Sequence, residues 1–349
     1  MKIIFVCDTM GSGGAERVIS TLSNGFVNRG HNVGIVMLSR EATKPFYELD
    51  KNIHVKFLKE EYEKKLNFFK KARILKNYIF KNKPDIVISF LSYVCIYTWW
   101  ALRHSKIPYI VSERNDPNSR SKLKQLLLNK SFKKAAGCVF QTEDARDWYG
   151  RKIAKKSEII YNPVNLTFVP PQINERKNQI LYVGRLNEQK NLFMLIDSFK
   201  IFLENHQNHI LKIYGDGPLK GSLLNYINQN NLSKKIILSP SSKTWQKDEY
   251  DSNMFVLPSK FEGMPNVLIE ALCLGIPSVS TNCPIGGPKE LKKVFPELLA
   301  ISDNISSDSF ASAMEQATKI KNNVSFVPKS LEKEAIIDKW LDYIEKSCR

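Results

Sequence analysis

Short apolar runs of strand length alternate with helical patterns along the first half of the chain, and no other feature restricts the fold as strongly. The runs are KIIFVC, NVGIVML, IHVKFL, DIVISFL, PYIVSE and GCVFQT. The segment AERVISTLSNGFVNRG, between the first two runs, has the spacing of a helix that ends at Gly30. Strands that alternate with helices predict a parallel, doubly wound sheet.

The alternation stops at residues 159–178, a Pro- and Asn-rich segment that is typical of a connecting region. It restarts with the runs QILYVGRL, ILKIYGDG, KIILSPS, MFVLPS and PSVSTN. We therefore predict an α/β protein with two doubly wound domains, 1–165 and 176–330, joined by a linker at 166–175. A chain of 349 residues is long enough for two such domains. Residues 331–349 contain the pattern of a final amphipathic helix.

Cysteine usage and apolar patterning limit the cellular context. The six cysteines include no C-x-x-C pair, which favours reduced thiols in a cytosolic protein over a disulfide framework or a zinc site. The apolar run at the N-terminus is too short for a signal peptide. Residues 86–102 are uncharged and reach the lower length limit of a membrane span. Because Pro84 precedes a strand-like run with a helical pattern after it, we predict one βα unit there instead.

The positive charge is concentrated in the first half. The chain has a formal net charge of +17, and residues 1–170 contain 30 Lys and Arg against 15 Asp and Glu. This asymmetry indicates an anionic partner, namely a lipid surface, a phosphate-bearing substrate or nucleic acid, unless it only keeps the surface soluble. Segments 64–83 and 119–134 interleave basic and apolar residues at helical spacing, as in helices that bind anionic membranes. No nucleic-acid recognition motif is present.

A glycine-rich turn, GSGGAER, follows the first predicted strand. Such turns present backbone N–H groups and a helix N-terminus to phosphate, although many are only tight turns. Gly11 and Gly13 fit the dinucleotide-binding pattern, but Glu16 stands where its third glycine belongs. The chain also lacks the phosphate-binding pattern GxxxxGK[ST]. These features argue against a nicotinamide or flavin enzyme and against a P-loop protein.

Two stretches of the second half concentrate candidate binding groups. In YVGRLNEQKN, Arg185 and Lys190 follow a predicted strand, where two cations suit a diphosphate unless they are merely solvated loop charges. In FEGMPNVLIE, a helix is predicted to begin near Pro265, with Glu262 just before it and Glu270 inside it. Either carboxylate could accept hydrogen bonds from sugar hydroxyls, or simply stabilise the start of the helix. A further glycine-rich turn, CPIGGPKEL, follows the strand SVST.

The order of these motifs resembles the family-4 glycosyltransferases of the GT-B architecture over essentially the whole chain. The matching pieces are GGAER, GRL with its following Lys, IYGDGP, the E-x7-E stretch EGMPNVLIE, and CPIGGPKE. Within that family the chain is most similar to bacterial enzymes that build capsular, lipo-oligosaccharide or lipid-linked glycans. The resemblance implies two Rossmann-like domains facing a cleft. It also implies a nucleotide-sugar donor, with UDP-sugar the expectation, and transfer of a hexose or N-acetylhexosamine with retention of configuration.

The resemblance also assigns roles to individual residues. Arg185 and Lys190 would hold the diphosphate, Glu262 the hydroxyls of the donor sugar and Glu270 the ribose. Gly13 and Gly14 would face the phosphates from across the cleft. The complete donor-binding set implied is Gly13, Gly14, Gly184, Arg185, Lys190, Gly215, Glu262, Gly263, Met264, Pro265, Asn266, Val267 and Glu270. The final helix would pack back on the first, acceptor-binding domain.

One position departs from the family pattern. Many relatives have a His after the strand that reads PYIVSERNDP here, and Arg114 occupies that place between Glu113 and Asn115. Arg cannot act as a base, but it can stabilise phosphate or orient an acceptor. Glu113 and Arg114 could also form only a structural ion pair. The implied acceptor-side residues are Glu16, Glu113, Arg114 and Asn115, and the implied catalytic residues are Glu262, Arg114, Arg185 and Lys190.

No metal or other cofactor is expected. The sequence contains no D-x-D motif, with which metal-dependent nucleotide-sugar enzymes hold a cation. Cationic side chains and helix N-termini could instead stabilise the charge on the departing diphosphate. The nucleotide-sugar is then a co-substrate, and the expected acceptor is a saccharide or a lipid-linked glycan at the inner face of the cell membrane.

Two other functions fit the same architecture. A nucleotide-sugar epimerase or a phosphorylase would retain the fold, but an epimerase would need His and carboxylate groups at its centre. The five histidines lie outside the motifs. A non-catalytic, nucleotide-sugar-binding partner subunit is the other alternative, and the intact E-x7-E and Arg/Lys pair argue against it.

Overall fold

The computed structural model describes residues 1–39, 44–61, 67–114, 121–321 and 324–348. It divides into two compact units, residues 1–163 with 330–349, and residues 164–329. The segment predicted as a linker belongs to the second unit, where the backbone N–H of Thr167 donates to Gln246 Oε1 at 2.8 Å.

The first unit is built on a parallel sheet. Its strands, within the described residues, are β1 (Lys2–Cys7), β2 (Asn32–Met37), β3 (His54–Phe57), β4 (Ile86–Phe90), β5 (Tyr109–Ser112), β6 (Gly137–Phe140) and β7 (Ser157–Ile159). They lie in the order β3-β2-β1-β4-β5-β6-β7, and every neighbouring pair is parallel. The central strands are almost fully buried, as expected where helices cover both faces.

Helices connect these strands. They are α1 (Gly14–Asn28), α2 (Phe68–Asn82), α3 (Ser92–Leu102), α4 (Lys122–Lys134), α5 (Glu143–Trp148) and α6 (Arg151–Ala154), with a 3₁₀ turn at Leu58–Glu61. The uncharged stretch 86–102 forms β4 and α3, which confirms the predicted βα unit. In the part of the chain that the structure describes, no helix is both long and apolar enough to cross a membrane.

The second unit repeats the plan with six strands in its described part. They are β8 (Lys177–Val183), β9 (Ile210–Tyr214), β10 (Ile236–Ser239), β11 (Ser252–Leu257), β12 (Ser278–Thr281) and β13 (Leu299–Ser302). All pairs are parallel, in the order β10-β9-β8-β11-β12-β13. The helices are α7 (Leu192–Phe202), α8 (Lys220–Gln229), α9 (Trp245–Glu249), α10 (Asn266–Cys273), α11 (Gly287–Val294) and α12 (Ser307–Thr318), with 3₁₀ turns at Glu188–Lys190 and Lys329–Leu331.

The predicted fold class of two doubly wound parallel-sheet domains is therefore confirmed. Strands β7 and β13 were not among the predicted runs. Each is short and lies at the edge of its sheet, so the apolar signal is weaker than in a central strand.

A final helix, α13 (Lys333–Cys348), packs on the first unit. Trp340 is fully buried, and its ring stacks on Phe90 with centroids 5.8 Å apart. Gly25 of α1 gives the helix room, because a Cβ there would lie 2.4 Å from Ile337 Cδ1. The Tyr343 hydroxyl accepts a hydrogen bond from the backbone N–H of Cys138 at 2.8 Å. This helix thus completes the core under the first sheet.

Candidate functional site

In each sheet the first three strands of the chain lie on one side, and the later strands lie on the other. The crossing lies between β1 and β4 in the first sheet and between β8 and β11 in the second. In open α/β sheets, ligands bind beyond the carboxyl ends of the strands at such a switch point. The predicted site residues can therefore be judged by how they lie around these two points.

The loop after β8 carries the first group of predicted residues in the second unit. Arg185 is exposed, while the adjacent Leu186 is fully buried and anchors the loop. Asn187 caps the following 3₁₀ turn by accepting a hydrogen bond from the backbone N–H of Lys190. The Tyr182 hydroxyl donates to the carbonyl of Arg185 at 3.1 Å. The backbone is thus held, while the Arg185 guanidinium faces solvent.

The loop after β11 meets this first loop. Lys190 Nζ lies 2.5 Å from Glu262 Oε1, and both side chains are largely buried. Gln189 Nε2 donates to the carbonyl of Phe261 at 2.8 Å, and the backbone N–H of Lys260 donates to the carbonyl of Gln189 at 2.8 Å. The structure therefore brings two of the predicted residues, 72 positions apart, into one ion pair beside the switch point.

Two glycines allow backbone segments to approach more closely than any other residue would permit. A Cβ on Gly215 would lie 1.9 Å from the carbonyl oxygen of Gly184. A Cβ on Gly287 would lie 1.6 Å from the carbonyl oxygen of Gly263. Glycines in the motifs IYGDGP and CPIGGPKE thus hold the loops that carry Arg185 and Glu262.

Helix α10 begins at Asn266, close to the predicted start at Pro265. The cap residue is Pro265, whose side chain makes no hydrogen bond to the backbone N–H groups of Asn266 and Val267 in the first turn. Met264 and Glu270 are buried, and Glu270 is only 1% exposed. A carboxylate this deep, one turn inside a helix, is rare outside a hydrogen-bonded site.

The segment after β12 is conformationally strained. Ile285 has a φ of 73°, which is unusual for a β-branched residue, and Gly286 follows with a φ of 72°. Thr281 Oγ1 and Cys283 Sγ both contact the carbonyl oxygen of Ser259, at 2.5 and 3.2 Å, and so tie this segment to the loop after β11. Burial raises the pKa of the Cys283 thiol to about 12, and the charge on Glu262 adds to the rise.

In the first unit, the glycine-rich turn holds a carboxylate of its own. Helix α1 begins at Gly14, and a Cβ on Gly13 would lie 2.1 Å from Glu16 Oε2. Glu16 therefore folds back on the start of its own helix, where a negative charge is stabilising. Burial, with Glu16 and Asp8 adding to it, raises the pKa of Cys7 well above its usual range.

Glu113 and Arg114 are both buried beyond the end of β5, but their side chains do not pair with each other. Arg114 Nε donates to Ser112 Oγ at 2.9 Å and Nη1 donates to Asn162 Oδ1 at 2.5 Å. The Glu113 carboxylate accepts instead from Tyr149 Oη at 2.9 Å and from the backbone N–H of Arg114 at 2.9 Å. The alternative of a simple ion pair is therefore wrong. Asn115 lies outside the described residues.

Sequence reasoning missed several of these partners. The sequence pattern places Asn162 in a Pro- and Asn-rich connecting region, yet its side chain accepts hydrogen bonds from Arg114 Nη1 and from Gln141 Nε2, the latter at 2.6 Å. Gln189 and Asn187 lie inside GRLNEQK, where the sequence pattern singles out only Arg185 and Lys190. The available signal was position, because each of these polar residues closely follows a strand of its sheet.

Comparison with known proteins divides the chain in the same way. The model of the family described as Glycosyltransferase Family 4 matches residues 12–168. The model described as Glycosyl transferases group 1 matches residues 165–333.

Several relatives match in sequence. The Campylobacter jejuni enzyme named GalNAc-alpha-(1->4)-GalNAc-alpha-(1->3)-diNAcBac-PP-undecaprenol alpha-1,4-N-acetyl-D-galactosaminyltransferase is 28% identical over 84% of this chain and 82% of its own. The amylovoran biosynthesis glycosyltransferase AmsD of Erwinia amylovora is 26% identical over 98% of this chain and 99% of its own. A glycosyltransferase of Methanocaldococcus jannaschii is 34% identical, but there the chain spans about half the length of the relative, 52%.

A solved structure shares the fold. That of Anabaena Alr3699/HepE in complex with UDP and glucose superposes with a TM-score of 0.78, at 14% identity, over 99% of each chain. Two family models thus cover nearly the whole sequence in the expected order, on the expected pair of parallel sheets. The chain belongs to the family-4 glycosyltransferases of the GT-B fold.

Proposed function

We propose that the chain is a retaining, metal-independent glycosyltransferase. It moves a hexose or an N-acetylhexosamine from a nucleoside-diphosphate sugar, with UDP-sugar as the first candidate, to a lipid-linked or saccharide acceptor in bacterial surface-glycan synthesis. The observation that carries the proposal is the Lys190–Glu262 pair at the switch point of the second sheet, next to the exposed Arg185.

The diphosphate is proposed to bind at the loop after β8. Arg185 presents a planar fork of donors that matches two phosphate oxygens. Lys190 has three N–H donors, of which Glu262 takes one. Lys190 is held by Glu262 before the donor binds, and both cations would stabilise the negative charge that builds on the β-phosphate as the sugar leaves. The leaving group is then stabilised without a metal ion.

The sugar and the ribose are proposed to bind at the loop after β11 and at α10. Glu262 would accept hydrogen bonds from sugar hydroxyls while Lys190 holds its other oxygen. Backbone N–H groups of 263–267, with the exception of Pro265, which has none, would donate to sugar and phosphate oxygens around the start of α10. Glu270 would accept from the ribose hydroxyls. A buried carboxylate gains most when its partners are well-placed O–H donors.

The names of the relatives support this donor and acceptor class. The Campylobacter jejuni relative is named for transfer of N-acetyl-D-galactosamine to an undecaprenol-diphosphate-linked glycan, and the Erwinia amylovora relative for amylovoran biosynthesis. The similar Anabaena structure holds UDP and glucose. Epimerase chemistry has less support, because His206 and His209 precede β9 and so lie at the amino edge of the second sheet.

We also propose that the first unit binds an anionic membrane surface through α2 and α3. Phe69 is 61% exposed and its ring lies 5.7 Å from that of Trp100. Arg103 stacks over Trp100 at 4.0 Å, and Lys71 lies 5.4 Å from the ring of Tyr97. Aromatic rings beside cations suit the region of lipid head groups, where rings insert and cations meet phosphate.

The donor assignment is tested by thermal-shift measurements with UDP, GDP, ADP and their sugars. A nucleotide held at about 100 times its Kd should stabilise the protein by roughly 2.7 kcal/mol. The shift should disappear in Arg185→Ala and Glu270→Ala, and persist in the exposed control Lys319→Ala. Absence of any shift with the wild-type protein would favour a partner subunit without a donor site.

Mechanism and location need separate measurements. Transfer should continue in EDTA, and NMR of the product should give the anomeric configuration of the donor. Loss of transfer in EDTA or an inverted product contradicts the proposal.

Liposome flotation should recover more protein with anionic lipid than without it. Phe69→Glu should reduce that recovery, whereas the matched change Leu224→Glu in the second unit should not. Equal recovery with both lipid compositions would exclude the membrane surface proposed.

A further inference from the structure

The side chain of Arg114 is held in a fixed position at the carboxyl edge of the first sheet. The residue is only 7% exposed. Its guanidinium donates to Ser112 at the end of β5 and to Asn162 beyond β7, and it lies 4.6 Å from the ring centroid of Phe90 at the end of β4. Ordered donors held by several strands give a rigid group, which is what recognition of a specific ligand atom requires.

The charge on this group is not neutralised by its contacts. Ser112 and Asn162 are neutral acceptors, and in the described ranges no carboxylate forms an ion pair with the guanidinium. Glu113 acts only at longer range, since its carboxylate accepts from Tyr149 and Ser92. Burial lowers the pKa of Arg114 to about 9, and the charge of Glu113 only partly offsets this. Buried cations in proteins are normally paired, so the site calls for an anion.

One nitrogen of the guanidinium is not used by the contacts described above. Nη2 is buried and has no hydrogen-bond partner among the residues that the structure describes. A second observation comes from the neighbouring strand, where Leu91 follows Phe90 with a φ of 74° and a ψ of 145°. That region is almost restricted to glycine, and residues strained in this way concentrate at functional sites. The strained turn precedes Ser92, which donates to Glu113 at 3.2 Å.

We propose that Arg114 Nη2 binds an oxyanion of the phosphate class carried by the acceptor, as in a prenyl-diphosphate-linked glycan. The inference rests on the proposed function, and it adds the chemical class of the acceptor group that the first unit recognises. The same chemistry could come from free phosphate or from the nucleoside diphosphate of the donor, so the experiment separates the three sources.

The experiment uses isothermal titration calorimetry with farnesyl diphosphate, farnesol, inorganic phosphate and UDP. Farnesyl diphosphate should bind the full-length protein, and farnesol at least 10-fold more weakly. Arg114→Gln should weaken farnesyl diphosphate at least 10-fold but UDP less than 2-fold. Arg151→Gln, which removes an exposed arginine of α6, is the matched control and should bind as wild type. Arg185→Ala should show the reverse pattern, with UDP lost and farnesyl diphosphate retained.

A second variant separates ligand binding from a structural role. Asn162→Asp places a carboxylate of the same shape beside the guanidinium and supplies the missing anion from within the protein. It should raise the melting temperature and still weaken farnesyl diphosphate at least 10-fold. A purely structural Arg114 would leave that affinity unchanged.

Several results would overturn the inference. They are unchanged farnesyl diphosphate affinity in both variants, equal affinity for farnesol, and loss of UDP alone in Arg114→Gln, which would assign the guanidinium to the donor. Binding of inorganic phosphate as tight as that of farnesyl diphosphate would also overturn the acceptor as its source. If the wild-type protein binds no nucleotide, that result counts against the proposed donor site. The titrations with farnesyl diphosphate would still test the role of Arg114.

Discussion

Gly287→Ala should disturb the proposed donor site chiefly through the backbone of the loop after β11. The new Cβ would lie 1.6 Å from the carbonyl oxygen of Gly263 and 2.8 Å from its carbonyl carbon. The new Cβ and the carbonyl oxygen must separate by about 1.8 Å before they reach the 3.4 Å of ordinary van der Waals contact. Both contacts are to backbone, so no rotamer change can relieve them.

The steric clash can lower either the stability of the protein or its transfer activity. If the loop stays in place, overpacking should lower the free energy of unfolding by about 3 kcal/mol, the upper end of the usual range. For a unit of this size that corresponds to a fall in melting temperature of roughly 6–12 °C. If the loop moves instead, Gly263 and the adjacent Glu262 shift by about 1 Å, and transfer should fall by on the order of 100-fold.

The assay is a thermal melt of the variant combined with nucleotide binding and transfer rates. The matched control is Gly221→Ala, because a Cβ there meets nothing within 4 Å. Gly221 lies in α8, where Ala should stabilise by about 0.5–1 kcal/mol. The reasoning is refuted if Gly287→Ala melts within 1 °C of wild type and also retains its nucleotide affinity and transfer rate.

Three further predictions concern the free energy of unfolding. Glu249→Gln should lower it by about 2 kcal/mol at pH 7, because Lys212 loses its partner. Burial alone would raise the pKa of Glu249, but its hydrogen bonds, led by the one from Lys212, lower that pKa. The wild-type protein therefore loses this stabilisation as the pH falls below about 4.3. The difference in unfolding free energy between wild type and variant should shrink over the same pH range in urea titrations. Trp340→Ala should cost about 3–5 kcal/mol, seen as a lower urea midpoint. Lys190→Met and Glu262→Gln should each cost about 3 kcal/mol in chemical denaturation, and the double variant about 1–3 kcal/mol less than their sum.

Each of these has a contrary outcome. A deficit in Glu249→Gln that is constant with pH would mean that its ion pair is not the cause. A loss below 1 kcal/mol in Trp340→Ala, matching the exposed control Lys346→Ala, would mean that α13 is not part of the core. Strict additivity of the Lys190 and Glu262 changes would show that the two side chains do not interact.

The sequence allowed the fold and the loops of the site to be predicted, but not the contacts between them. Apolar runs identify central strands because these are buried on both faces, which is why β1, β4, β8 and β11 were recognised. Residues after such strands must lie at the carboxyl edge of a parallel sheet, so Arg185 and Glu262 could be assigned to one region.

Pairing across the sheet depends on strand order, which local patterns do not encode. Nothing near Lys190 indicates that Glu262 is its partner, or that Gly287 meets Gly263. The role of Asn162 was hidden for the same reason. Its neighbours in sequence suggest a turn, whereas its hydrogen bonds come from Arg114, two strands away, and from Gln141, at the end of the adjacent strand.

The placement of α13 has a consequence for biosynthesis. The second unit is continuous in sequence, so it can fold as soon as residues 164–329 have left the ribosome. The first unit begins earlier but lacks Trp340 and Ile337 until α13 has been made. Its nascent sheet would meanwhile expose the apolar face that α13 later covers. We expect the part synthesised first to mature last, which makes that face the natural target for a chaperone during translation.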